Sequence, residues 1–254
     1  MDMVRWMFKR IFKDAANDIQ QVQGWQAFRR EFKEFVRMSN EIGRAAPRNA
    51  DLYPITNERT PTTGFDSHYL YHVAWAARVL AKTRPQKHVD ISSSLNFCTT
   101  VSAFVPVEFY DYRPADVRLD GLDCRKGDLM ALSFSDSSLR SLSCMHVIEH
   151  IGLGRYGDSL DPNGDVKACQ ELMRVLASGG DLLIAVPVGR PKVMFNAHRI
   201  YSFEQARDLF SELELVEFAL IPDNQPEEGI VRNAPPELVD KQRYGCGCFW
   251  FKKK

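Results

Sequence analysis

The sequence has no net charge: its 254 residues hold 33 Lys and Arg against 33 Asp and Glu. Nucleic-acid binders gain affinity from a basic field, so this balance argues against a nucleic-acid partner. No apolar run approaches the roughly 20 residues needed to span a bilayer. Near the start, Arg5, Lys9, Arg10 and Lys13 interrupt any secretory apolar core, and a cytoplasmic protein is expected. Cysteine is too sparse and scattered for a disulfide frame. Cys98, Cys124, Cys144, Cys169, Cys246 and Cys248 fall mostly inside expected strands and helices, as reduced, buried thiols. The Cys246-x-Cys248 pair has no second pair at zinc spacing and reads as strand packing. There are no internal repeats.

The residues that are present divide the chain into three. Residues 1–45 read as a helical arm, with Val4, Phe8, Ile11 and Phe12 on one face and a second helical run over 25–38 carrying Phe28, Phe32 and Phe35. Such an arm packs on the core or on a second subunit. Its alternating basic and aromatic residues also suit peripheral contact with the inner face of an anionic membrane. Residues 46–86 are a Pro- and Thr-rich linker or lid followed by a helix. Asp66 and Ser67 cap that helix, which brings His68, Tyr69, Tyr71, His72 and Trp75 close to the first strand. Residues 87–254 alternate strands (88–91, 107–110, 122–126, 139–146, 181–187, 215–221, 247–252) with helices (95–104, 166–176, 203–211). The alternation predicts an α/β Rossmann-like sandwich: a mostly parallel sheet with an antiparallel last strand, helices on both faces and the N-terminal helical arm added.

The domain is organised around residues 141–165, SLSCMHVIEHIGLGRYGDSLDPNGD, an apolar strand that breaks into a glycine-rich polar loop before a helix. This arrangement places side chains at the carboxyl edge of a parallel sheet, where open α/β folds bind ligands. A loop so rich in His, Glu, Arg, Tyr and Asp is costly to order for connection alone. Three other strand tips carry acids or small residues. Asp90 and Ser92, Ser93 and Ser94 follow the first strand, where a cofactor's polar end can approach backbone N–H groups. Asp111 ends the second strand, at the spacing of an acid that grips ribose hydroxyls. Asp128 and Leu129 follow the third and suit an adenine edge and ring.

This order resembles the class I S-adenosylmethionine-dependent methyltransferases over about residues 87–251, including Glu171, Leu172, Arg174, Val175, Leu176, Gly179 and Gly180 before the fifth strand. The resemblance implies the methyltransferase form of the sandwich, S-adenosyl-L-methionine as cofactor, and cofactor contacts at Asp90, Ser92, Ser94, Asp111, Asp128, Leu129 and His146. A closer resemblance is to an uncharacterised bacterial family marked by HVIEHIGLGRYGD and FNAHRIY. It covers about residues 65–251 and includes His68, Tyr69, Trp75, Ala76, Ala77 and Arg78. That family reads Asp-Ile-Gly-Ser at the first turn, where this chain has Ser92 in place of the glycine. Its association with surface-polysaccharide synthesis implies a sugar or glycan acceptor.

Methyl transfer from a sulfonium is an in-line displacement, so catalysis is largely positioning, plus a base when the nucleophile is a hydroxyl. His150 is the expected base, oriented by Glu149 and assisted by His198 and Arg199. Substrate contacts are assigned to His68, Tyr69, Arg155, Tyr156, Asp158 and Asn196; arginine suits an acceptor carboxylate or phosphate. No metal is expected. Asp158, Asp161, Asn163, Gly164 and Asp165 resemble a Ca²⁺ loop only faintly, at the wrong spacing and without the terminal bidentate Glu. The competing readings are a non-catalytic methyltransferase-like scaffold that binds a partner or glycan, and a metal-dependent glycosyl transferase.

Overall fold

A computed structural model describes residues 2–223 and 229–254. The side chains of residues 1–21, and with them the expected apolar face of Val4, Phe8, Ile11 and Phe12, lie outside the described residues. The chain divides into two units, Met1–Gly64 and Phe65–Lys254. In the first, the two expected helical runs form one helix, α1 (Asp2–Glu41). The segment after it folds back: Arg59 donates two bonds of 2.7 Å to the Glu31 carboxylate. Gly24 permits this return, since a Cβ there would stand 2.8 Å from Thr56 Cβ. Trp25 and Phe35 remain exposed on α1. Among the described residues, no helix is long and apolar enough to cross a membrane.

The second unit begins with α2 (Ser67–Thr83), capped by Asp66, whose side chain accepts from Tyr69 N–H. It continues through β1 (His88–Ile91), α3 (Leu95–Val101), β2 (Val107–Asp111), β3 (Leu122–Lys126) and β4 (Leu139–Met145). Next come α4 (Gly164–Val175), β5 (Leu176–Val188), β6 (Lys192–Met194), β7 (His198–Ile200) and α5 (Phe203–Asp208). The last strands are β8 (Glu214–Ile221), β9 (Val231–Arg232) and β10 (Gly245–Lys252). The main sheet has eight strands in the order β3-β2-β1-β4-β5-β10-β8-β9. Strands β1 to β5 are mutually parallel, and β10 lies antiparallel between β5 and β8. This is the α/β sandwich with a reversed last strand that the alternation predicts.

Two buried clusters flank the sheet, because its strands alternate their side chains between faces. On β10, Cys246, Cys248 and Trp250 face α2 and α3. Phe249 and Phe251 face the α4 and α5 side. Strand order reverses between β1 and β4, so the crevice outside their carboxyl ends is the expected ligand position.

Several elements differ from expectation. Gly179 and Gly180, which read as a turn before the fifth strand, lie inside a continuous β5. The register steps there from Leu139 opposite Leu176 to Ser141 opposite Asp181, so the glycines form a bulge, with Gly179 at φ +73°. Between the expected fifth strand and the helix over 203–211, where no strand is expected, lies the hairpin β6–β7. Between the last two expected strands lie β9 and a 3-10 turn, Pro236–Lys241.

Candidate active site

The first strand is buried along its whole length, yet its sequence is His-Val-Asp-Ile. Its polar side chains satisfy each other across the sheet. His88 Nδ1 lies 2.8 Å from Ser141 Oγ and His88 Nε2 2.8 Å from Ser143 Oγ. The Ser143 hydroxyl donates to Asp90, which also accepts from Ser93 N–H at 3.0 Å. Burial pushes the Asp90 carboxyl up to about 6 and the His88 imidazole down to about 3. Asp90 is therefore a support for the turn and does not line the crevice, contrary to its assignment as a cofactor contact. Ser94 also turns away: it caps α3, its hydroxyl accepting from Phe97 N–H at 3.2 Å.

Ser92 does reach the crevice, and it sits at φ +56°. The left-handed geometry of a glycine turn is thus kept with a serine in it. Its N–H and hydroxyl both donate to Tyr110 O, at 2.8 and 3.2 Å. Beyond it lies a cavity of about 460 Å³ lined by Asp111, Asp128, Leu129, His146 and His150 among others. Asp111 Oδ1 accepts from Arg113 N–H at 2.7 Å, and Asp128 Oδ1 accepts from Met130 N–H at 2.9 Å. Each turn fixes its carboxylate through one oxygen, leaving the other free to accept from a ligand hydroxyl or amino group. Leu129 is buried against the cavity wall. The three strand tips β1, β2 and β3 therefore share one crevice, with Ser92 rather than Asp90 representing the first.

The loop after β4 is held from inside. The Asp158 carboxylate accepts from Gly152 N–H at 2.8 Å, Gly154 N–H at 3.3 Å and Tyr156 N–H at 3.2 Å. Burial opposes the charge, but these amides hold Asp158 below the usual carboxylate range. Asp158 lines the crevice, yet its acceptors are largely spent on the loop, not on a substrate. Gly152 lies at φ +79°, and a Cβ there would stand 2.1 Å from Asp161 O. Arg199 straps the same loop: its guanidinium donates to Ile151 O at 2.7 Å and Pro162 O at 3.3 Å, and pairs with Asp165 at 3.4 Å. It lines a separate open groove beside Tyr201 and Asp165. The expectation that Arg199 assists at the acceptor is corrected accordingly, because its donors are committed to main-chain carbonyls.

A larger cavity of about 1070 Å³ adjoins the crevice and shares Ser92, His146, His150 and Tyr156 with it. It is lined by the start of α2, the β4 loop, the β6–β7 turn and the approach to β10, through His68, Tyr69, Glu149, Arg155, Asn196, His198, Asp223 and Tyr244. All the expected acceptor residues except Asp158 meet here. His150 Nδ1 lies 2.6 Å from Ala197 O, so it carries the proton and leaves Nε2 as the basic nitrogen. Arg155 donates to the same carbonyl at 3.0 Å, and its 3.3 Å approach to Nδ1 follows from that shared acceptor. Glu149 Oε1 is 3.8 Å from His150 Nε2 and 3.0 Å from His146 Nδ1, so it orients His146 more closely than His150.

His146 itself sits at φ +57°, the kind of backbone strain that clusters at functional sites. Its ring stacks near His68 and Tyr69, with centroids 5.5 and 5.4 Å away, and its Nε2 lies 3.3 Å from Cys246 Sγ. Burial opposes protonation, but Cys246 and Glu149 hold His146 above the ordinary histidine range. Burial and the His146 charge push His68 down to about 4. Tyr244 stacks on His68 and contacts His198, with centroids 5.1 and 4.9 Å away. The sequence reading missed Tyr244, Asp223 and the inward role of Cys246. Tyr244 and Cys246 arrive from about a hundred residues beyond His146 and Asp223 from just after β8, placements that only strand pairing reveals.

A family model described as Caenorhabditis protein of unknown function, DUF268, matches residues 134–225, well under half of the chain. The match does not confirm the bacterial family expected from the motifs. No curated protein matches the sequence. Among solved structures, the chain is similar to the N-methyltransferase NodS from Bradyrhizobium japonicum in complex with S-adenosyl-L-homocysteine: 13% identity, TM-score 0.52, 79% of this chain and 91% of that one. It is similar to a putative sarcosine dimethylglycine methyltransferase from Galdieria sulphuraria at 15% identity and TM-score 0.51, over 73% and 86% of the two chains. It is also similar to the [4+2]-cyclase SpnF at 12% identity and TM-score 0.51, over 76% and 84%. The chain has the Rossmann-like fold of the class I S-adenosylmethionine-dependent methyltransferases. At such identities the likeness speaks for the fold, and a cyclase among the neighbours shows that the fold alone does not set the chemistry.

Proposed function

We propose that the protein is an S-adenosylmethionine-dependent methyltransferase that methylates a hydroxyl of a small polar acceptor, a sugar or glycan precursor. The observation that carries this reading is the pair of adjoining cavities that share Ser92, His146, His150 and Tyr156. The crevice offers two free carboxylate oxygens at successive strand tips and an apolar wall at Leu129, a set that suits ribose hydroxyls, an adenine amino group and the adenine ring. The bound cofactor would supply a sulfonium methyl group. The second cavity offers stacking faces at Tyr69 and Tyr244 and hydrogen-bonding groups at Asn196, Asp66 and Asp223, the mixture a hydroxylated ring needs. His150, with its proton held on Nδ1 by Ala197, takes the acceptor proton on Nε2. His198 stands nearby, its imidazole pushed down by burial and by His150, and so remains neutral to hydrogen-bond the acceptor.

Titration calorimetry with S-adenosylhomocysteine tests the foundation. Binding is expected for the native chain and should weaken at least tenfold in Asp111→Ala, which removes a charge-assisted bond of about 1.5–3 kcal/mol. Absence of binding by correctly folded protein sinks the proposal. A second reading, a non-catalytic scaffold, is favoured by Ser92 standing at the turn where a glycine is expected. It predicts glycan binding without any S-adenosylhomocysteine binding.

A further inference from the structure

Three ligand-type side chains meet where the second cavity reaches the sheet. A ring nitrogen of His68, a ring nitrogen of His146 and Cys246 Sγ all lie within 4.8 Å of one another. They come from α2, the end of β4 and the start of β10, so no local sequence pattern announces them. Tetrahedral zinc, with bonds of about 2.0–2.3 Å, sets its ligand atoms roughly 3.3–3.8 Å apart. His146 Nε2 and Cys246 Sγ, at 3.3 Å, already have that spacing. His68 needs only a small approach.

The surroundings also match a metal centre. A ligating imidazole usually gives its other N–H to a carboxylate or backbone carbonyl, which fixes the ring and its tautomer. His146 Nδ1 lies 3.0 Å from Glu149 Oε1, and Tyr244 stacks on the His68 ring with centroids 5.1 Å apart. Beside the cluster, His72 Nδ1 lies 2.6 Å from His68 O, a carbonyl that can only accept, so Nε2 carries the lone pair. Among the described residues, that buried Nε2 has no partner, and neither has Glu149 Oε2. Glu149 is 1% exposed, so with His146 neutral, as a zinc ligand must be, its carboxylate needs another counter-charge nearby. A divalent cation, one thiolate and one carboxylate sum to no net charge, which meets that need.

We propose that His68, His146 and Cys246 form a zinc site, with Glu149 as the positioning residue for His146. Two imidazoles and one thiolate are a soft, nitrogen-and-sulfur set that suits Zn²⁺ over Mg²⁺ or Ca²⁺. Three protein ligands leave the fourth position open toward the second cavity, as in catalytic rather than structural zinc sites. Resting on the methyltransferase reading, that position takes the acceptor's hydroxyl oxygen. The acceptor's proton leaves to His150 or solvent, the acceptor's electron pair forms the new bond to the methyl carbon, and the carbon–sulfur bond breaks with its pair left on sulfur.

The test is cobalt(II) titration of the full chain after chelation. The expected result is one equivalent bound, with intense visible d–d bands of a tetrahedral ion and a near-ultraviolet thiolate-to-cobalt band, both bleached by zinc. Cys246→Ser should abolish the thiolate band, and His68→Gln should weaken metal binding at least tenfold, with circular dichroism checking the fold of each. Cys248→Ser, whose sulfur lies 4.0 Å from Cys246 Sγ, should keep the band. No thiolate band in folded native protein, or a band that survives Cys246→Ser, overturns the proposal. S-adenosylhomocysteine calorimetry on the same samples separates the two readings, because cobalt ligation does not require cofactor binding.

Discussion

Ser92 offers the most direct test of how the crevice is built. At φ +56° an L-residue costs about 1–2 kcal/mol relative to its preferred regions. The Ser92 hydroxyl recovers about 0.5–1 kcal/mol through its 3.2 Å bond to Tyr110 O. Ser92→Ala keeps the strain and loses the bond, so it should destabilise by about 0.5–1 kcal/mol. Ser92→Gly loses the bond and releases the strain, while adding roughly 0.5–1 kcal/mol of unfolded-state freedom. It should therefore fall within about 1 kcal/mol of the native chain and above the alanine variant. For a domain of this size the two variants should differ by about 2–4 °C in Tm per kcal/mol. Urea titration and thermal melts read the stability, and calorimetry reads S-adenosylhomocysteine affinity, which should rise in the glycine variant as the cavity gains backbone access. An alanine variant as stable as the glycine variant refutes the strain argument. A glycine variant with weaker affinity refutes the expectation that backbone access at this turn strengthens binding.

Acid stability should report the buried network of β1. His88 is pushed from its ordinary 6.5 to about 3, so the unfolded chain takes up its proton first. That contribution is complete above pH 6.5 and is lost as pH falls, by about 2 kcal/mol at pH 5. Asp90, raised to about 6, acts with opposite sign and returns about 1.4 kcal/mol at pH 5. His88→Asn should therefore reduce the loss of stability between pH 7 and pH 5, read by urea unfolding; an unchanged pH dependence refutes the assignment. Gly152→Ala should destabilise by at least about 2 kcal/mol, since its Cβ would meet Asp161 O at 2.1 Å with φ positive. Asp158→Ala should leave three loop amides without their acceptor and expose Arg155 to tryptic cleavage while circular dichroism stays native. Resistance at Arg155 would show that the loop does not depend on that carboxylate.

The central strands were legible because buried parallel strands are short, largely apolar runs bounded by turn residues, and β2 and β4 begin where that pattern places them and end within a residue of it. The hairpin β6–β7 was not, because β6 is exposed along its length and carries no alternation. Gly179 and Gly180 carry the same signal for a turn and for a bulge, and only the pairing of β4 with β5 distinguishes them. Asp111, Asp128 and His150 could be placed at the strand edge from order alone. Asp90 could not be assigned correctly, because the β4 serine that donates to its carboxylate, Ser143, lies 53 residues away. The role of Arg199 was hidden for a similar reason: its partners are main-chain carbonyls, which no residue type reveals.

Strand β10 follows β5 and β8 in the chain, yet it lies between them, hydrogen-bonded to β5 on one side and β8 on the other. Until it arrives, both neighbours present open edges, and the face destined for α2 lacks Cys246 and Trp250. The nascent sheet is therefore two separate halves. The second cavity is complete only when β10 pairs with both, bringing Tyr244 to its wall.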